Sequence, residues 1–359
     1  MGIDFSPARW DAVKKNYALW WEGKLDRPLI YTVLGGKDPG RALPSTPLLD
    51  QSNCHLLSVP AKDIIDRIDY ELSTQTYLGD SFPFFNMICF GPGIVAAFLG
   101  AELDNATGKV WFRPKEIKPI HELHFEYDPN NVWLNRLKDI YREGMKRWQG
   151  QVLMSMPDLG GTLDILSTFR PADLLLTDLY DEPEEAKRLT WELHELWIRY
   201  FRELHEVTEP YSPGWSDWAG MYCEEPSYIL QCDFCYMLSP KMFDEFVKPE
   251  LQAMCQYLPR SFYHLDGVGQ LNKLDSLLEI KELDGVQWVP GAGKPDMAHW
   301  PEVYRKIAAS DKNIQICGAF DCLLAVAKQT GKPGRIFGGF WQADSYEKEL
   351  RRLIESYTG

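Results

Sequence analysis

Two short apolar segments that each end at a glycine constrain the fold of this chain most. Residues 261–267 (Ser-Phe-Tyr-His-Leu-Asp-Gly) and 285–291 (Gly-Val-Gln-Trp-Val-Pro-Gly) both have the pattern of buried strands, and a helical segment follows each. Tandem units of this kind predict parallel strands whose carboxyl ends share one edge of a sheet. His264 and Asp266 are two residues apart, so on a strand their side chains point to the same face. They are either a functional pair or a hydrogen-bonded histidine beside a loop-capping aspartate.

From residue 151 onward, strand-like and helix-like segments alternate. Strand candidates lie at residues 152–156, 214–218, 262–265, 286–289, 314–317 and 335–340. Six or more such units over about 250 residues predict an α/β fold, a closed (β/α)8 TIM barrel. No G-x-G-x-x-G follows a strand, which argues against a doubly wound nucleotide-binding sheet. We expect residues 1–150 to form an N-terminal elaboration packed on the barrel, and residues 151–359 to form its main part, within one structural domain overall.

Composition argues against several functional classes. The formal net charge of -14 disfavours a nucleic-acid partner, because phosphate binding relies on a basic surface. No window approaches the ~20 apolar residues of a membrane span, and the first residues lack the pattern of a secretory signal. The eight cysteines are scattered, as in reduced cytoplasmic proteins, and Cys232 and Cys235 are interpreted as core residues. We therefore expect a cytoplasmic protein with a small-molecule substrate, whose oligomeric state stays open.

A family resemblance runs through most of the chain and is best between residues 150 and 310. It is carried by residues 156–170 (Met-Pro-Asp-Leu-Gly-Gly-Thr-Leu-Asp-Ile-Leu-Ser-Thr-Phe-Arg), residues 238–249 (Leu-Ser-Pro-Lys-Met-Phe-Asp-Glu-Phe-Val-Lys-Pro) and the strand of His264. The chain resembles the uroporphyrinogen decarboxylase superfamily, which implies a (β/α)8 barrel. That superfamily also contains corrinoid and coenzyme M methyltransferases, so the resemblance implies no single reaction.

Two departures from the family patterns bear on the reaction. The decarboxylases have an arginine-rich N-terminal motif for the carboxylates of their substrate, whereas Arg9, Arg27 and Arg41 are isolated here. The methyltransferases bind zinc through a His-x-Cys-Gly strand and a cysteine near the last strand. Here the first element reads His264-Leu-Asp266-Gly, and residues 336–341 contain no cysteine. A thiolate-rich zinc site therefore cannot be carried over.

The remaining pattern allows a zinc site of nitrogen and oxygen ligands. Three protein ligands with one open position form the usual catalytic zinc site, and imidazole and carboxylate are both suitable ligands. His264 and Asp266 would supply two of them. Candidates for the third are Glu224, Glu225, Cys223, Asp217 and Cys317. The predicted metal set takes Glu224, for which a solvated loop is the alternative.

Aromatic and acidic residues complete the predicted site. Five aromatic residues fall at or beyond predicted strand ends, where they would wall a pocket for a planar or methylated cationic compound. They are Trp215, Trp218, Tyr222, Trp288 and Trp341. Packing at the barrel mouth is the alternative. Asp158 and Asp217 are predicted to orient the substrate, and they join His264 and Asp266 in the predicted catalytic set.

Three functions stay open at this point. The leading prediction is a methyltransferase that moves a methyl group between a small methylated compound and a corrinoid protein, assisted by a Lewis-acidic metal. The sequence contains no D-x-H-x-x-G, so the corrinoid would arrive on a separate partner. The second is a metal-independent decarboxylase of a carboxylated aromatic compound or tetrapyrrole. The third is a non-catalytic barrel that binds a small molecule.

Overall fold

Strands and helices alternate through most of the chain, as the sequence predicts. The structure is a computed structural model that describes residues 2–318, 320–342 and 347–358. The strands in these ranges are β1 (Leu29–Leu34), β2 (Thr76–Gly79), β3 (Phe84–Phe85), β4 (Glu102–Asp104), β5 (Trp111–Arg113), β6 (Leu153–Met154), β7 (Ser227–Gln231), β8 (Arg260–Asp266), β9 (Gly285–Val289), β10 (Asn313–Cys317) and β11 (Ile336–Gln342). The helices are α1 (Pro7–Trp21), α2 (Ala61–Ser73), α3 (Val95–Phe98), α4 (Val132–Trp148), α5 (Thr162–Phe169), α6 (Ala172–Asp181), α7 (Pro183–Thr208), α8 (Pro240–Phe246), α9 (Lys248–Tyr257), α10 (Leu274–Leu278), α11 (Pro301–Ala309), α12 (Phe320–Thr330) and α13 (Glu347–Thr358).

One seven-stranded sheet organises the molecule. Its order is β2-β1-β11-β10-β9-β8-β7, and every neighbouring pair is parallel except β1 with β2. The predicted α/β class with a parallel sheet is therefore confirmed. Strand β1 comes from the first 150 residues and pairs with β11, so the predicted boundary at residue 150 does not divide this sheet.

Regular pairing among the described residues does not close the sheet into the predicted eight-stranded barrel. Strands β3 and β6 form a separate parallel pair, and β4 and β5 form a hairpin. Isolated backbone hydrogen bonds connect the chain beyond the paired segments, from Leu153 N to Pro83 O (3.0 Å) and from Met156 N to Ser216 O (2.8 Å). Proline has no backbone N–H, and Pro83, Pro157 and Pro213 lie in or beside these stretches. These prolines cannot donate to a ladder, which limits regular pairing there.

Helix α1 covers the amino-terminal end of the sheet. Ser6 caps it by accepting a hydrogen bond from Arg9 N at 3.3 Å, and Pro7 occupies its first turn. The Trp20 ring stacks on Phe262 of β8 at 5.8 Å, and lies 6.0 Å from Phe337 of β11. All three side chains are almost completely buried. Among the described residues, this end of the sheet is therefore packed with aromatic rings.

Helix α7 spans 26 residues and packs one apolar stripe on the rest of the molecule. Leu189, Leu193 and Trp197 are buried along that stripe, while acidic and basic residues occupy the other side. Charge on the outer side gives α7 the character of a surface helix. Within the described ranges, no helix has the combination of length and apolar character that crossing a membrane requires.

Candidate functional site

A row of polar side chains crosses four neighbouring strands, from the middle of β9 and β10 to the carboxyl end of β7. Gln231 of β7 is in register with His264 of β8, His264 with Gln287 of β9, and Gln287 with Gln315 of β10. Residues in register point to the same face of a sheet. Phe262 lies two residues before His264 on β8 and points to the same face, so this face of β8 is apolar near its start and polar further along.

Hydrogen bonds along this row fix the protonated nitrogen of His264. Gln315 Nε2 donates to the carbonyl oxygen of Ala219 at 2.8 Å, so its Oε1 accepts from Gln287 Nε2 at 2.9 Å. Gln287 Oε1 must then accept from His264, and their hydrogen bond involves Nδ1. Because the Ala219 carbonyl can only accept, the donor and acceptor of every hydrogen bond in this series are fixed. His264 therefore carries its proton on Nδ1, and Nε2 keeps its lone pair.

Asp217 holds Ala219, the residue at which this series of hydrogen bonds ends. Its carboxylate accepts hydrogen bonds from Ala219 N at 2.8 Å and from Ile229 N of β7 at 2.6 Å. Burial raises the pKa of this carboxyl to about 7, against the opposing effect of its backbone hydrogen bonds. The sequence predicts that Asp217 orients the substrate; in the structure its hydrogen bonds fasten the segment of Ala219 to β7.

Three potential metal ligands converge beside the polar row. Asp233, His264 and Asp266 each offer a ligand atom, and these atoms lie within 4.8 Å of one another. Nδ1 of His264 is occupied by Gln287, so Nε2 is the nitrogen that can bind an ion. Burial lowers the pKa of His264, and this outweighs the opposite effects of Gln287 and the nearby carboxylates. The ring is therefore neutral near pH 7, as a metal ligand must be.

The two carboxyl groups beside His264 differ in their surroundings. Asp266 ends β8, whereas Asp233 begins a 3₁₀ turn, Asp233–Met237, just after β7. Although the Asp233 side chain is partly exposed, desolvation by the surrounding protein and the charge of Asp266 raise its pKa to about 6. Two carboxylates and an imidazole lone pair at this spacing repel one another, and either a proton or a bound cation relieves that repulsion. The group suits a divalent ion with nitrogen and oxygen ligands.

A cavity of about 380 Å³ adjoins this group and shares Asp233 with it. Its lining comes from the loop before α3, the β4–β5 hairpin, helix α5 and the turn after β7. Asp164 of α5 accepts hydrogen bonds from the backbone N–H groups of Asp233 (3.0 Å) and Phe234 (2.7 Å). Burial and the charge of Asp233 raise the pKa of Asp164 to about 7. Asp164 therefore holds the turn that presents Asp233.

Asp158 shapes the floor of the cavity. Its buried carboxylate accepts hydrogen bonds from Gly160 N at 2.9 Å and Gly93 N at 3.3 Å, and both glycines line the cavity. A Cβ atom on Gly160 would lie 2.8 Å from the Cα atom of Gly93, so the two loops approach this closely only because residue 160 is glycine. Burial raises the pKa of Asp158 to about 7. Asp158 is not itself a lining residue; it holds Gly93 and Gly160, which are.

A larger surface cavity, of about 670 Å³, lies along α7. Glu195, Arg199, Arg202 and Glu203 provide most of its charge. The Arg199 guanidinium lies 3.3 Å from the centre of the Tyr127 ring, which occupies part of the groove. None of the residues that line it belongs to a strand end, so it lacks the convergence of polar groups found beside His264.

The predicted third ligand, Glu224, lies elsewhere. Glu224 and Glu225 precede β7, whose first residue pairs with Arg260 at the start of β8, and Glu225 is 3.4 Å from that arginine. Since β8 rises by about 3.3 Å per residue, His264 is more than ~10 Å further along the sheet. Glu224 is exposed, as its alternative interpretation predicts. The residue that joins His264 and Asp266 is Asp233.

The other candidate third ligands have separate roles. Cys223 is buried and pairs through its backbone with Trp215 at the amino-terminal side, N to O at 2.9 Å. Cys317 ends β10, and Gln287 Nε2 lies 3.7 Å from its Sγ atom. Burial raises the pKa of the Cys317 thiol to about 11, so it is protonated near pH 7. Neither thiol belongs to the group of Asp233.

The five predicted aromatic residues do not assemble into one wall. Trp218 packs edge-on against His264 at 5.2 Å and is the one nearest the site. Trp288 is in register with Leu265, so it lies on the opposite face from His264 and packs against Trp300. Trp215 packs on Phe201 of α7, Tyr222 is buried among the aromatic residues of the amino-terminal end, and the side chain of Trp341 lies outside the described part of the structure.

Sequence reasoning missed Asp233 and the glutamines of the polar row. Asp233 lies within Cys232-Asp-Phe-Cys235, where only the cysteine spacing drew a prediction. Gln287 and Gln315 each interrupt an apolar run at the middle of a predicted strand, which is an available signal for a functional face. Their mutual alignment depends on register, and the sequence does not encode register in any local pattern.

Comparison with solved structures finds one whose fold is similar, a methyltransferase from Methanosarcina mazei. The superposition covers 97% of this chain and 99% of that chain, with a TM-score of 0.58 and 11% sequence identity. A scan against protein-family models finds no match, and a search of curated proteins finds none either. The chain shares the fold of a methyltransferase over nearly its full length, and at this identity the likeness is one of fold alone.

Proposed function

We propose that this chain is a methyltransferase that moves a methyl group from a small methylated compound to a corrinoid carried by a separate protein. The observation that carries the proposal is the convergence of Asp233, His264 and Asp266 beside a cavity, in a fold similar to that of a methyltransferase. Membership of the uroporphyrinogen decarboxylase superfamily and a fully closed (β/α)8 barrel belong to the same proposal.

The proposal assigns a divalent ion, with zinc as the first candidate, to Asp233, His264 and Asp266. Neutral imidazole and carboxylate oxygen are ordinary zinc ligands, and three of them leave one position open. Such an ion supplies a Lewis acid at the cavity edge. The tautomer set by Gln287 supports this assignment, because it keeps the lone pair of Nε2 available.

In the proposed reaction the bond between the methyl carbon and its heteroatom breaks. The electron pair of that bond stays on the heteroatom, and the reduced corrinoid supplies the pair for the new bond to the methyl group. The role of the chain is to bind and align the donor. Asp158 and Asp164 hold the cavity loops in place, and Trp218 packs against His264 and limits its contact with water.

The two alternative functions have less support. Recognition of a polycarboxylate requires cationic side chains, and the described residues that line the cavity include no Lys, Arg or His. A non-catalytic barrel would have no need for three convergent ligand groups next to a row of aligned hydrogen bonds. The lining charge thus favours methyl transfer over decarboxylation of a tetrapyrrole.

A direct assay tests the proposal with zinc-loaded protein, a reduced corrinoid and donors from three classes, namely methyl ethers, methylated amines and methyl thioethers. Methylation of the corrinoid changes its absorption spectrum, which gives the rate. We expect Asp266→Ala to abolish transfer and Glu224→Ala to retain the wild-type rate, because Glu224 lies at the other end of the sheet. No transfer from any donor class, or equal rates for wild type and Asp266→Ala, would contradict the proposal.

A further inference from the structure

We infer that the cavity beside Asp233 takes a small organic cation whose charge is spread over methyl groups, such as a methylated ammonium or sulfonium compound. This inference rests on the proposed methyl transfer for its biological meaning, since it names the class of the methyl donor. It rests on the cavity itself for its physical basis, and the two parts can fail separately.

The charge of the cavity carries the first step. Asp164 and Asp233 are the charged side chains among the described lining residues, and both are acidic. In the proposed function Asp233 faces a metal ion, so Asp164 is left to face the cavity. Its oxygens accept backbone hydrogen bonds, which favour the ionised form against the burial that raises its pKa to about 7. A cation bound in the cavity favours the ionised form further. A negative charge in a partly desolvated cavity attracts a cation more strongly than it would in water.

The aromatic lining carries the second step. Trp111 and Phe112 of β5 and Phe234 of the turn after β7 all line the cavity, with Met237 at its edge. Trp111 is 56% exposed, which is unusual for a tryptophan that only supports the fold. Rings around a cavity that also holds a carboxylate favour a cation with an apolar surface, because both the ring quadrupole and the apolar contact contribute.

Gln231 adds an independent observation. It lines the cavity, is 9% exposed, and its Oε1 atom has no hydrogen-bond partner within the described ranges. A buried polar group without a partner is costly. The Oε1 atom is closed to solvent in this structure, so a ligand hydroxyl group reaches it only if the Gln231 side chain rotates toward the cavity. The cavity, at about 380 Å³, is large enough for a small methylated ammonium compound that also carries a hydroxyl group.

The test compares choline with its neutral carbon isostere, in which a tert-butyl group replaces the trimethylammonium group. Their affinities are measured by calorimetry on zinc-loaded wild-type protein. The two probes have nearly the same shape, so only the charge differs. We expect choline to bind at least about tenfold more tightly. Equal or tighter binding of the neutral isostere, or no detectable binding of choline, would overturn the inference.

Variants locate the effect within the cavity. We expect Asp164→Asn to remove the preference for choline, and Trp111→Leu to weaken choline binding about five- to tenfold. Trp191→Leu is the matched control, because Trp191 is 43% exposed on α7 and does not line this cavity. Wild-type affinity for choline in both Asp164→Asn and Trp111→Leu would overturn the inference.

The outcome for the inference is separable from the outcome for the proposed function. Asp266→Ala is expected to keep the preference for choline while losing methyl transfer, because Asp266 does not line the cavity. Choline preference without methyl transfer by the wild type would leave the inference standing and remove the proposed function. Methyl transfer from neutral ethers or thioethers without any cation preference would leave the proposed function standing and remove the inference.

Discussion

The two ends of the seven-stranded sheet are built from the same strands but from different chemistry. At the amino-terminal end, Phe262 and Phe337 pack against Trp20 of α1, and all three are almost fully buried. At the carboxyl end, His264 and Asp266 continue the face of Phe262 along β8 and meet Asp233. Within a few residues along β8, aromatic packing is replaced by a cluster of two carboxyl groups and one imidazole.

The two ends of the sheet contribute separately to stability and to ligand binding. Aromatic burial at one end supplies free energy of folding without any need for polar partners. That packing fixes the strands, and the fixed strands align Gln287 and Gln315 with His264 at the other end. Residues at the carboxyl ends of parallel strands are then free to differ according to function. Stability should therefore respond to changes at the first end, and ligand binding to changes at the second.

The largest expected effect on stability is at the aromatic end. We expect Trp20→Ala to lower the free energy of unfolding by about 3–5 kcal/mol, because it removes a fully buried ring from a packed cluster. Denaturant titration measures this, with Trp191→Ala as a control, since Trp191 is 43% exposed. A loss below about 1 kcal/mol for Trp20→Ala would mean that this end does not hold the sheet together.

A second effect depends on pH and arises in part from two buried carboxyl groups near the polar end. Burial raises the pKa of Asp158 and of Asp217 to about 7, from an ordinary value of 3.8. Between about pH 4 and pH 7 the folded chain keeps protons that the unfolded chain has lost. The free energy of unfolding therefore falls as pH rises through this window, by up to about 1.4 kcal/mol per pH unit for each group.

Unfolding of Asp217→Asn at several pH values tests this sign. The asparagine cannot titrate, so its stability should fall less between pH 4 and pH 7 than that of the wild type. Trp20→Ala serves as the comparison, because it should lower stability by the same amount at every pH. If Asp217→Asn instead has the same pH profile as the wild type, then Asp217 ionises at an ordinary pH in the folded chain.

A smaller effect, on zinc affinity, is expected from a change at Gln287, which belongs to the polar row. We expect Gln287→Leu to weaken zinc binding about 10- to 100-fold, because the hydrogen bond that fixes the His264 tautomer is lost. The nitrogen chemical shifts of His264 should also show a mixture of tautomers. Gln329→Leu is the control, since Gln329 bonds to Ala298 and lies outside the polar row. Unchanged zinc affinity and an unchanged tautomer in Gln287→Leu would show that Gln287 does not fix the tautomer of His264.

The sequence predicted much of the fold because most strands are short apolar runs with local signals. Strands β8, β9 and β10 were predicted within about two residues of their bounds. Strand β7 was missed, because residues 214–218 looked more strand-like and no glycine follows Gln231. This one omission placed Glu224 beside His264, although it belongs to the opposite end of the sheet.

The candidate site was predictable in part for a related reason. His264 and Asp266 lie on one strand, so their shared face follows from the sequence spacing alone. Asp233 reaches them from the turn that follows β7, and Trp288 turns away because it is in register with Leu265 rather than His264. Pairing between strands that are distant in sequence depends on the packing of the whole sheet. Local pattern therefore found two of the three converging ligands.

The most direct test of the account is the zinc-binding stoichiometry of three proteins: wild type, Asp233→Ala and Glu224→Ala. Each is stripped with a chelator, titrated with zinc by calorimetry, and checked by elemental analysis. The account predicts one ion per chain for wild type and for Glu224→Ala, and a loss of at least about 100-fold in affinity for Asp233→Ala. Equal affinity in all three, or loss of zinc only in Glu224→Ala, would contradict the assignment of the site to the carboxyl end of the sheet.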